Sequence, residues 1–494
     1  MKPAADHTVV ADLKAIVGDA HVLTEGDLSA FEMDWRKRFR GKALAVVRPG
    51  TTLEVAAVMR ACASLGITLV PQGGNTGLVN GSTPDASGTQ ILLSLGRMNR
   101  VREIDDANLT MTVEAGCVLQ AVQAAAAQNN LLFPLSLGAE GSCTIGGNLA
   151  TNAGGTQVLR YGNARDLCLG LEVVTAAGEV WSGLSGLRKD NTGYDLRDLF
   201  IGSEGTLGII TAATLKLYPQ PSAVLTAMAA CESLERCIEL LQLAQARAGS
   251  ALTGFEVMNG FSLELVRKVF PHLRQPLPPS PWTVLLELSD AENEEHARTM
   301  FERLLEQAFE RELVTDAAVA QTLQHSHDMW HLRESITMAS ADAGASVKHD
   351  IALAVSRIPS FCAQTDAAVA RAFPELRLLN FGHLGDGNLH YNLQLNDGID
   401  AADFMRVRES ALNDLIYDAV MEHGGSISSE HGVGTQKREQ LALRKSPVAL
   451  NLMQAIKDAL DPANLLNPGR VLAPRPPGRH QADRRQAENN GNVG

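Results

Sequence analysis

Apolar and polar positions along the chain alternate between two periods. Val9, Val10, Leu13, Ile16 and Val17 fall at helical spacing and predict a short helix over residues 8–23. Ala43–Val47 is a continuous apolar run of strand length. Thr51-Thr-Leu-Glu54 reads as a capping box that opens a helix to about Leu65, where Gly66 stops it. Strands are predicted at Ile67–Val70, Ile91–Leu95 and Thr110–Ala115, and a helix from Val118 to Gln128. Leu171–Thr175 and Glu179–Trp181 predict a hairpin around Ala176-Ala-Gly178.

Beyond Pro219-Gln-Pro221, which marks a domain boundary, helices and strands alternate. Predicted helices are Glu232–Arg247, Ala291–Phe309, His327–Ser340, Pro359–Arg371, Ala402–His423 and Val448–Leu460. Predicted strands are Leu252–Val257, Thr283–Leu288, Val347–Leu353, Leu376–Asn380 and Leu389–Gln394. That order predicts an antiparallel sheet with helices on one face, and an α+β fold class. The first domain covers residues 1–219 and the second 220–459; residues 474–494 form a polar tail expected to be disordered.

Charge and cysteines narrow the function classes. The balance is 43 − 56 = −13 with no long basic stripe, which disfavours nucleic acid as a partner. An anionic substrate therefore needs a local cluster of cations. The seven cysteines (Cys62, Cys117, Cys143, Cys168, Cys231, Cys237, Cys362) include no C-x-x-C pair, which argues against iron–sulfur and zinc-finger sites and for free thiols in a reducing compartment. The N-terminus lacks the apolar run of a signal peptide, and no stretch reaches the ~18 apolar residues of a membrane span. The expected location is the cytoplasm.

Three tracts are rich in glycine. Pro71–Ser82 contains Gly73, Gly74, Gly77 and Gly81, whose backbone N–H groups can turn towards an anion such as a pyrophosphate. Leu135–Gly155 has small residues at nearly every position, which predicts a long loop against a bound ligand. Gly202–Ile210 repeats the theme before a strand. The first loop lacks G-x-G-x-x-G, and no Gly-Lys-Ser/Thr closes a P-loop. Another constellation lies in Phe381–Asn392, where His383 and His390 flank Leu384-Gly-Asp-Gly-Asn-Leu389. A reversal at Gly385 and Gly387 can bring both imidazoles together, and Glu430 in Ser428–Gly434 offers a carboxylate. Two imidazoles and a carboxylate suit a divalent metal with open positions for substrate. Asn392 shares a strand face with His390, while Arg333 and Thr337 share a helix face.

Taken together, Pro71–Ser82, Thr144–Gly155, Gly202–Ile210 and Asn464–Arg470 resemble the FAD-binding domain of the vanillyl-alcohol oxidase/p-cresol methylhydroxylase (PCMH-type) flavoproteins. Phe381–Asn392 with Glu430-His431 resembles the subgroup with a FAD-linked oxidase C-terminal domain, which includes D-lactate, glycolate and D-2-hydroxyglutarate dehydrogenases. The resemblance covers residues 30–472 and implies a two-subdomain FAD-binding domain, completed by residues 460–473, plus an antiparallel-sheet cap for substrate. Pro71, Gly73, Gly74, Asn75, Thr76, Gly77, Gly81 and Ser82 would wrap the FAD pyrophosphate and ribityl chain. So would Leu137, Gly138, Gly141, Ser142, Thr144, Gly147, Asn148, Thr151, Asn152 and Gly154. Glu204, Gly205, Gly208 and Ile209 would lie near the adenine, and Asn467 would return to the flavin. Covalent members often carry a histidine in the first loop; Asn75-Thr76 stands here, so non-covalent FAD is expected.

The resemblance also implies His383, His390 and Glu430 as metal ligands, with Zn²⁺ the expected ion. It implies Arg333, Thr337, Lys348, Asn392 and His431 as substrate contacts, with His431 the catalytic base. The activity implied is oxidation of a D-2-hydroxy acid to the 2-oxo acid. Arg333, Thr337 and Lys348 as a clamp for a second carboxylate favour D-2-hydroxyglutarate, then D-malate, over D-lactate or glycolate. Electrons would leave to an external acceptor, an electron-transfer flavoprotein or a quinone. An oxidase and a non-catalytic flavin or metal sensor are the competing readings, and a homodimer is one assembly the sequence allows.

Overall fold

Thr51 caps the helix Thr52–Leu65 as its sequence dictates. Its Oγ1 accepts the Glu54 N–H at 3.2 Å, and the Glu54 carboxylate turns back onto the Gly50 N–H at 2.7 Å. Gly66 ends the helix at φ 65°. In the computed structural model, which describes residues 3–473, this helix shares a core with two sheets. The first sheet runs in the order Val22–Leu23, Ala43–Val47, Gln90–Ser94, Leu69–Gln72. Its last three strands are parallel. Gln90–Ser94 lies between two neighbours and is buried along its whole length, which is why it reads as an apolar run without alternation. The second sheet is antiparallel, in the order Val101–Asp105, Thr110–Glu114, Ile209–Lys216, Cys168–Val174, Val180–Gly183.

Two expectations in this half change. The first helix ends at Val17, not residue 23. Gly18 takes φ 88°, and Val22–Leu23 leaves to pair with Val47 and Val46; sheet pairing overrides local helical spacing there. Leu135–Gly155 is not a structureless loop. Ile145–Thr151 is a helix, ended by Asn152 at φ 52°.

A second core belongs to residues 225–427. Its sheet has eight strands, in the order Asp316–Val319, Ala223–Cys231, Trp282–Asp290, Leu252–Asn259, Leu376–His383, Asn388–Leu395, Ser346–Val347, with Asp350–Ala352 also paired to Asn388–Leu395. Every pairing is antiparallel. Ala223–Cys231 was not legible as a strand: it is alanine-rich, lies inside the sheet and is buried from Leu225 onward. Alternate residues face opposite sides. Phe255, Val257, Leu286 and Leu288 pack under the helices Leu234–Ala248, Glu294–Glu310, Ile358–Ala372 and Glu409–Glu422. Met228, Met258 and Leu285 face the helices Gly260–Val269 and Leu323–Asp342. The helical cover expected on one face is present, and these two further helices cover part of the other.

Two predicted elements divide. Val347–Leu353 becomes Ser346–Val347 and Asp350–Ala352, because the His349 N–H turns onto Asn392 Oδ1 at 3.0 Å. Ala402–His423 becomes Ala401–Val407 and Glu409–Glu422. The chain finally returns to the first sheet: the Leu69 N–H donates to the Leu465 carbonyl at 2.8 Å, and the Asn467 N–H to the Leu69 carbonyl at 2.8 Å. The polar tail from Pro474 lies outside the described residues.

Candidate active site

The strands Leu376–His383 and Asn388–Leu395 form a hairpin in which Phe381 stands opposite His390. Gly387 allows the reversal at φ 84°; a Cβ there would stand 2.1 Å from the Leu353 carbonyl oxygen. Gly385 does not adopt positive φ. It is small because Leu159 packs 2.9 Å from where its Cβ would be. The hairpin places the His383 and His390 rings 5.4 Å apart, and His431 lies over His390 at 6.2 Å with the rings nearly parallel. Glu430 Oε1 is 3.6 Å from His383 Nε2. One donor atom each from His383, His390 and Glu430 all lie within 4.8 Å of one another, the arrangement the sequence predicted.

Glu256 supports this group from below. Its Oε1 meets His383 Nδ1 at 2.6 Å, and its Oε2 accepts from Arg333 at 2.7 Å. The carboxylate is fully buried. Burial opposes its charge, but His383 and Arg333 outweigh that and hold its pKa down to about 2. For His383, burial likewise works against the charged ring, and Glu256 and Glu430 overcome it to raise the pKa to about 9. His390 moves the other way: burial, then the charges of His383 and Arg333, push it well below its ordinary value. Burial lifts Glu430 to about 7. Fixing one ring nitrogen of a histidine leaves the other aimed as a ligand, the usual outer support of a metal site.

Asp350 organises the opposite wall. Its Oδ2 accepts the N–H groups of Ser429, Glu430 and His431 at 3.1, 2.9 and 2.9 Å, and its Oδ1 accepts from Asn388 at 2.9 Å. These bonds pin the loop that presents Glu430 and His431. His431 Nδ1 lies 3.7 Å from the same Oδ2. Asp350, His390 and His431 form a second trio of converging donors. Asp350 already accepts four hydrogen bonds, so the trio with Glu430 has the freer donor set.

The first-half loops meet this site directly. A Cβ on Gly154 would stand 2.8 Å from Glu430 Oε1. Gly73 and Gly74 lie against the 142–147 segment: added Cβ atoms would come within 2.4 Å of Thr144 Oγ1 and 2.1 Å of the Ser142 carbonyl oxygen. Part of the glycine content therefore serves loop-on-loop packing. Gly77 and Gly138 face open space instead, and Thr144 Oγ1 and Asn467 Oδ1 are buried without a hydrogen-bond partner among the described residues. Open backbone beside unpaired polar atoms fits an extended polar group such as FAD. Two expected contacts are otherwise engaged. The Glu204 carboxylate accepts the N–H groups of Val433 and Gly434 at 2.7 and 2.8 Å, tying the Glu430 loop to the first half. The Asn75 amide donates to the Ala30 and Met33 carbonyls and accepts from Ser82 Oγ.

The expected substrate clamp is only partly assembled. Arg333 is buried against Glu256, because a carboxylate in an apolar strand needs a counter-charge; the fork expected to face substrate is turned partly inward. Thr337 is exposed. Lys348 is half-buried and makes no hydrogen bond or ion pair among the described residues. Burial, then Arg36, lowers its pKa. Asn392 is buried with its oxygen on the His349 N–H. Sequence reasoning missed Glu256 and Asp350. The available signal was an acid in an otherwise apolar strand (Gly254-Phe-Glu-Val-Met258, Asp350-Ile-Ala-Leu353), since a buried acid needs a partner.

Comparison with known proteins agrees with this architecture. Residues 43–183 match the family described as FAD binding domain, and residues 220–471 match FAD linked oxidases, C-terminal domain. The chain is 39% identical over 463 residues to a D-2-hydroxyglutarate dehydrogenase, mitochondrial, of Bos taurus, covering 94% of this chain and 83% of that protein. It is 38% identical over 471 residues to a D-2-hydroxyglutarate dehydrogenase of Xanthomonas citri pv. viticola, covering 94% and 96%. The crystal structure of p-cresol methylhydroxylase with substrate bound superposes with a TM-score of 0.76 at 18% identity, over 96% of this chain and 98% of that one, a likeness of fold. The fold and the site define a two-part flavoprotein oxidoreductase with an FAD-binding domain. The chain belongs to the FAD-linked oxidase family. Among the described residues, no helix is long and apolar enough to cross a membrane.

Proposed function

We propose that the protein oxidises a D-2-hydroxy acid bearing a second carboxylate, D-2-hydroxyglutarate first and D-malate next, to the 2-oxo acid. The observation that carries this reading is the convergence of His383, His390 and Glu430 beside Gly154 of the glycine tract, with His431 at the same point. FAD, held non-covalently, would supply the acceptor for the electron pair, and a divalent metal held by His383, His390 and Glu430, Zn²⁺ by donor type, would supply a Lewis acid for the substrate hydroxyl. His431 takes the hydroxyl proton. Burial lowers its pKa, so the ring is neutral and able to accept near pH 7. Asp350, 3.7 Å from His431 Nδ1, stabilises the imidazolium as it forms. Lys348 offers its free ammonium to the far carboxylate.

Asn75-Thr76 in the first loop, where covalent members often carry a histidine, supports non-covalent attachment; the Asn75 amide donates instead to the Ala30 and Met33 carbonyls. An external acceptor, an electron-transfer flavoprotein or a quinone, completes the cycle. Seven buried free thiols suit a reducing compartment. The cytoplasm is the one proposed, although the bovine relative's name gives the mitochondrion for that protein.

One observation favours a second reading, the D-lactate or glycolate branch: Arg333 is bound to Glu256 and Thr337 is exposed, so two of the three expected clamp donors are not free inside the site. An anaerobic flavin-reduction screen over D-2-hydroxyglutarate, D-malate, D-lactate, glycolate and their L-forms separates the two. The dicarboxylates should reduce the flavin fastest; a lead for lactate or glycolate moves the assignment to that branch, and no reduction by any hydroxy acid would support the sensor reading.

A further inference from the structure

Residues 35–40 read Trp-Arg-Lys-Arg-Phe-Arg, the densest cationic run in a chain of net charge −13. Five of the six are exposed; Arg36 alone turns inward and is half-buried. The turn that aims it is built around Asp34, which is buried. Asp34 Oδ1 accepts the Phe39 N–H at 2.6 Å, its Oδ2 the Arg36 N–H at 3.2 Å, and its carbonyl the Lys37 N–H at 2.9 Å. The turn is held from both halves of the molecule. Asn75 Nδ2 donates to the Ala30 and Met33 carbonyls on the FAD-binding side, and Arg38 pairs with Glu409 of the cap at 3.1 Å.

The Arg36 guanidinium makes no hydrogen bond or ion pair among the described residues. The charge of Arg36 is felt by Lys348, His431 and Lys437, and Arg36 in turn feels Arg38, Glu409, Asp34 and Tyr417. Glu409 is engaged by Arg38, Asp34 by the turn's own amides, and Lys437 by the Ile427 carbonyl and Ser428. Arg36 and Lys348 are left as two half-buried cations with no ion-pair partner among the described residues, one from each half of the chain, and both act on the charge of His431. Like charges converging without a partner are unfavourable unless an anion joins them.

We propose that Arg36 binds the second carboxylate of the substrate together with Lys348, so that the substrate bridges the FAD-binding half and the cap. The inference rests on the proposed function and deepens it, placing the missing planar fork on Arg36 while Arg333 holds Glu256. The experiment compares wild type, Arg36→Gln and Arg36→Lys as FAD- and metal-loaded enzymes on D-2-hydroxyglutarate and D-lactate. Glutarate, which has both carboxylates and no hydroxyl to oxidise, serves as a binding probe read by its perturbation of the flavin spectrum. Arg36→Gln should lower kcat/KM for the dicarboxylate by roughly 10²-fold, the scale of losing one partner of a desolvated charge pair, mainly through KM. It should weaken glutarate by a similar factor, and Arg36→Lys should restore part of both. Unaltered glutarate binding in Arg36→Gln, or equal losses on D-2-hydroxyglutarate and D-lactate, would overturn the inference while leaving the oxidation itself standing. A wild type that oxidises no dicarboxylic D-2-hydroxy acid would instead remove the reading on which it rests.

Discussion

Gly154 and Glu430 are in contact across the interface between the two halves of the chain: a Cβ on the glycine would stand 2.8 Å from Oε1 and 3.4 Å from Cδ of the glutamate. The crowded atoms are the far end of a flexible side chain, so Gly154→Ala should fold. The carboxylate must move, and it moves off the histidines. Metal affinity should fall roughly 10–100-fold, the effect of disturbing a ligand's support, with little change in Tm. Titration with Zn²⁺ under a competing chelator measures this, and affinity equal to wild type would show that Glu430 is not a ligand.

Glu256 links Arg333 to His383, with 2.7 and 2.6 Å contacts on its two oxygens. Arg333→Met leaves a fully buried carboxylate without one of its two counter-charges and should destabilise the protein by ~3–5 kcal/mol. The double variant Arg333→Met/Glu256→Gln should recover part of that loss, since the orphaned charge is gone. Denaturant unfolding of the single and double variants decides it. Additive losses would mean that the pair is not coupled.

Metal binding should be steeply pH-dependent. In metal-free protein the His383 pKa is raised from 6.5 to about 9, so the ring is charged at pH 7 and a metal must displace its proton. Zn²⁺ affinity should therefore tighten by up to ~10-fold per pH unit between pH 7 and 9 and level off above. The sign for metal-free stability is opposite. A raised histidine pKa contributes stability that is fully present below about pH 6.5 and is lost as pH rises through about 9. Calorimetry in buffers of different ionisation enthalpy counts the released protons, and release of none at pH 7 contradicts the assignment.

His431→Ala should lower kcat by roughly 10²–10⁴-fold while metal content stays near wild type. Asp350→Asn should act on the same step and also loosen the loop, because its Oδ2 receives three backbone N–H groups. Rapid-mixing flavin reduction separates this from a slow reoxidation step. An unchanged reduction rate in His431→Ala would assign the proton to another group.

The reach of the sequence was uneven for physical reasons. His383 and His390 were legible because a short turn between two strands fixes their proximity locally, and Thr51 and Gly66 because capping is written within four residues. Glu430 was legible as a carboxylate in a glycine-bounded segment, Ser428–Gly434, and the resemblance pointed to the same residue. Asp350 and Glu256 were missed because their partners lie roughly 40 to 130 positions away in sequence, and no local pattern encodes such a pairing. The strand Ala223–Cys231 was hidden by burial on both faces, which removes the alternation a strand reading depends on. The resemblance gave Arg333 as a substrate contact; its pairing with Glu256, 77 positions away, was not legible in the sequence.

The most direct test mixes the purified protein anaerobically with D-2-hydroxyglutarate and follows the flavin absorbance, first as the metal-loaded enzyme and then after chelation. The account predicts rapid bleaching by the D-form and not the L-form, loss of bleaching after chelation with the flavin still bound, and its return on adding Zn²⁺. Undiminished bleaching in protein shown by elemental analysis to be metal-free would contradict the role given to His383, His390 and Glu430.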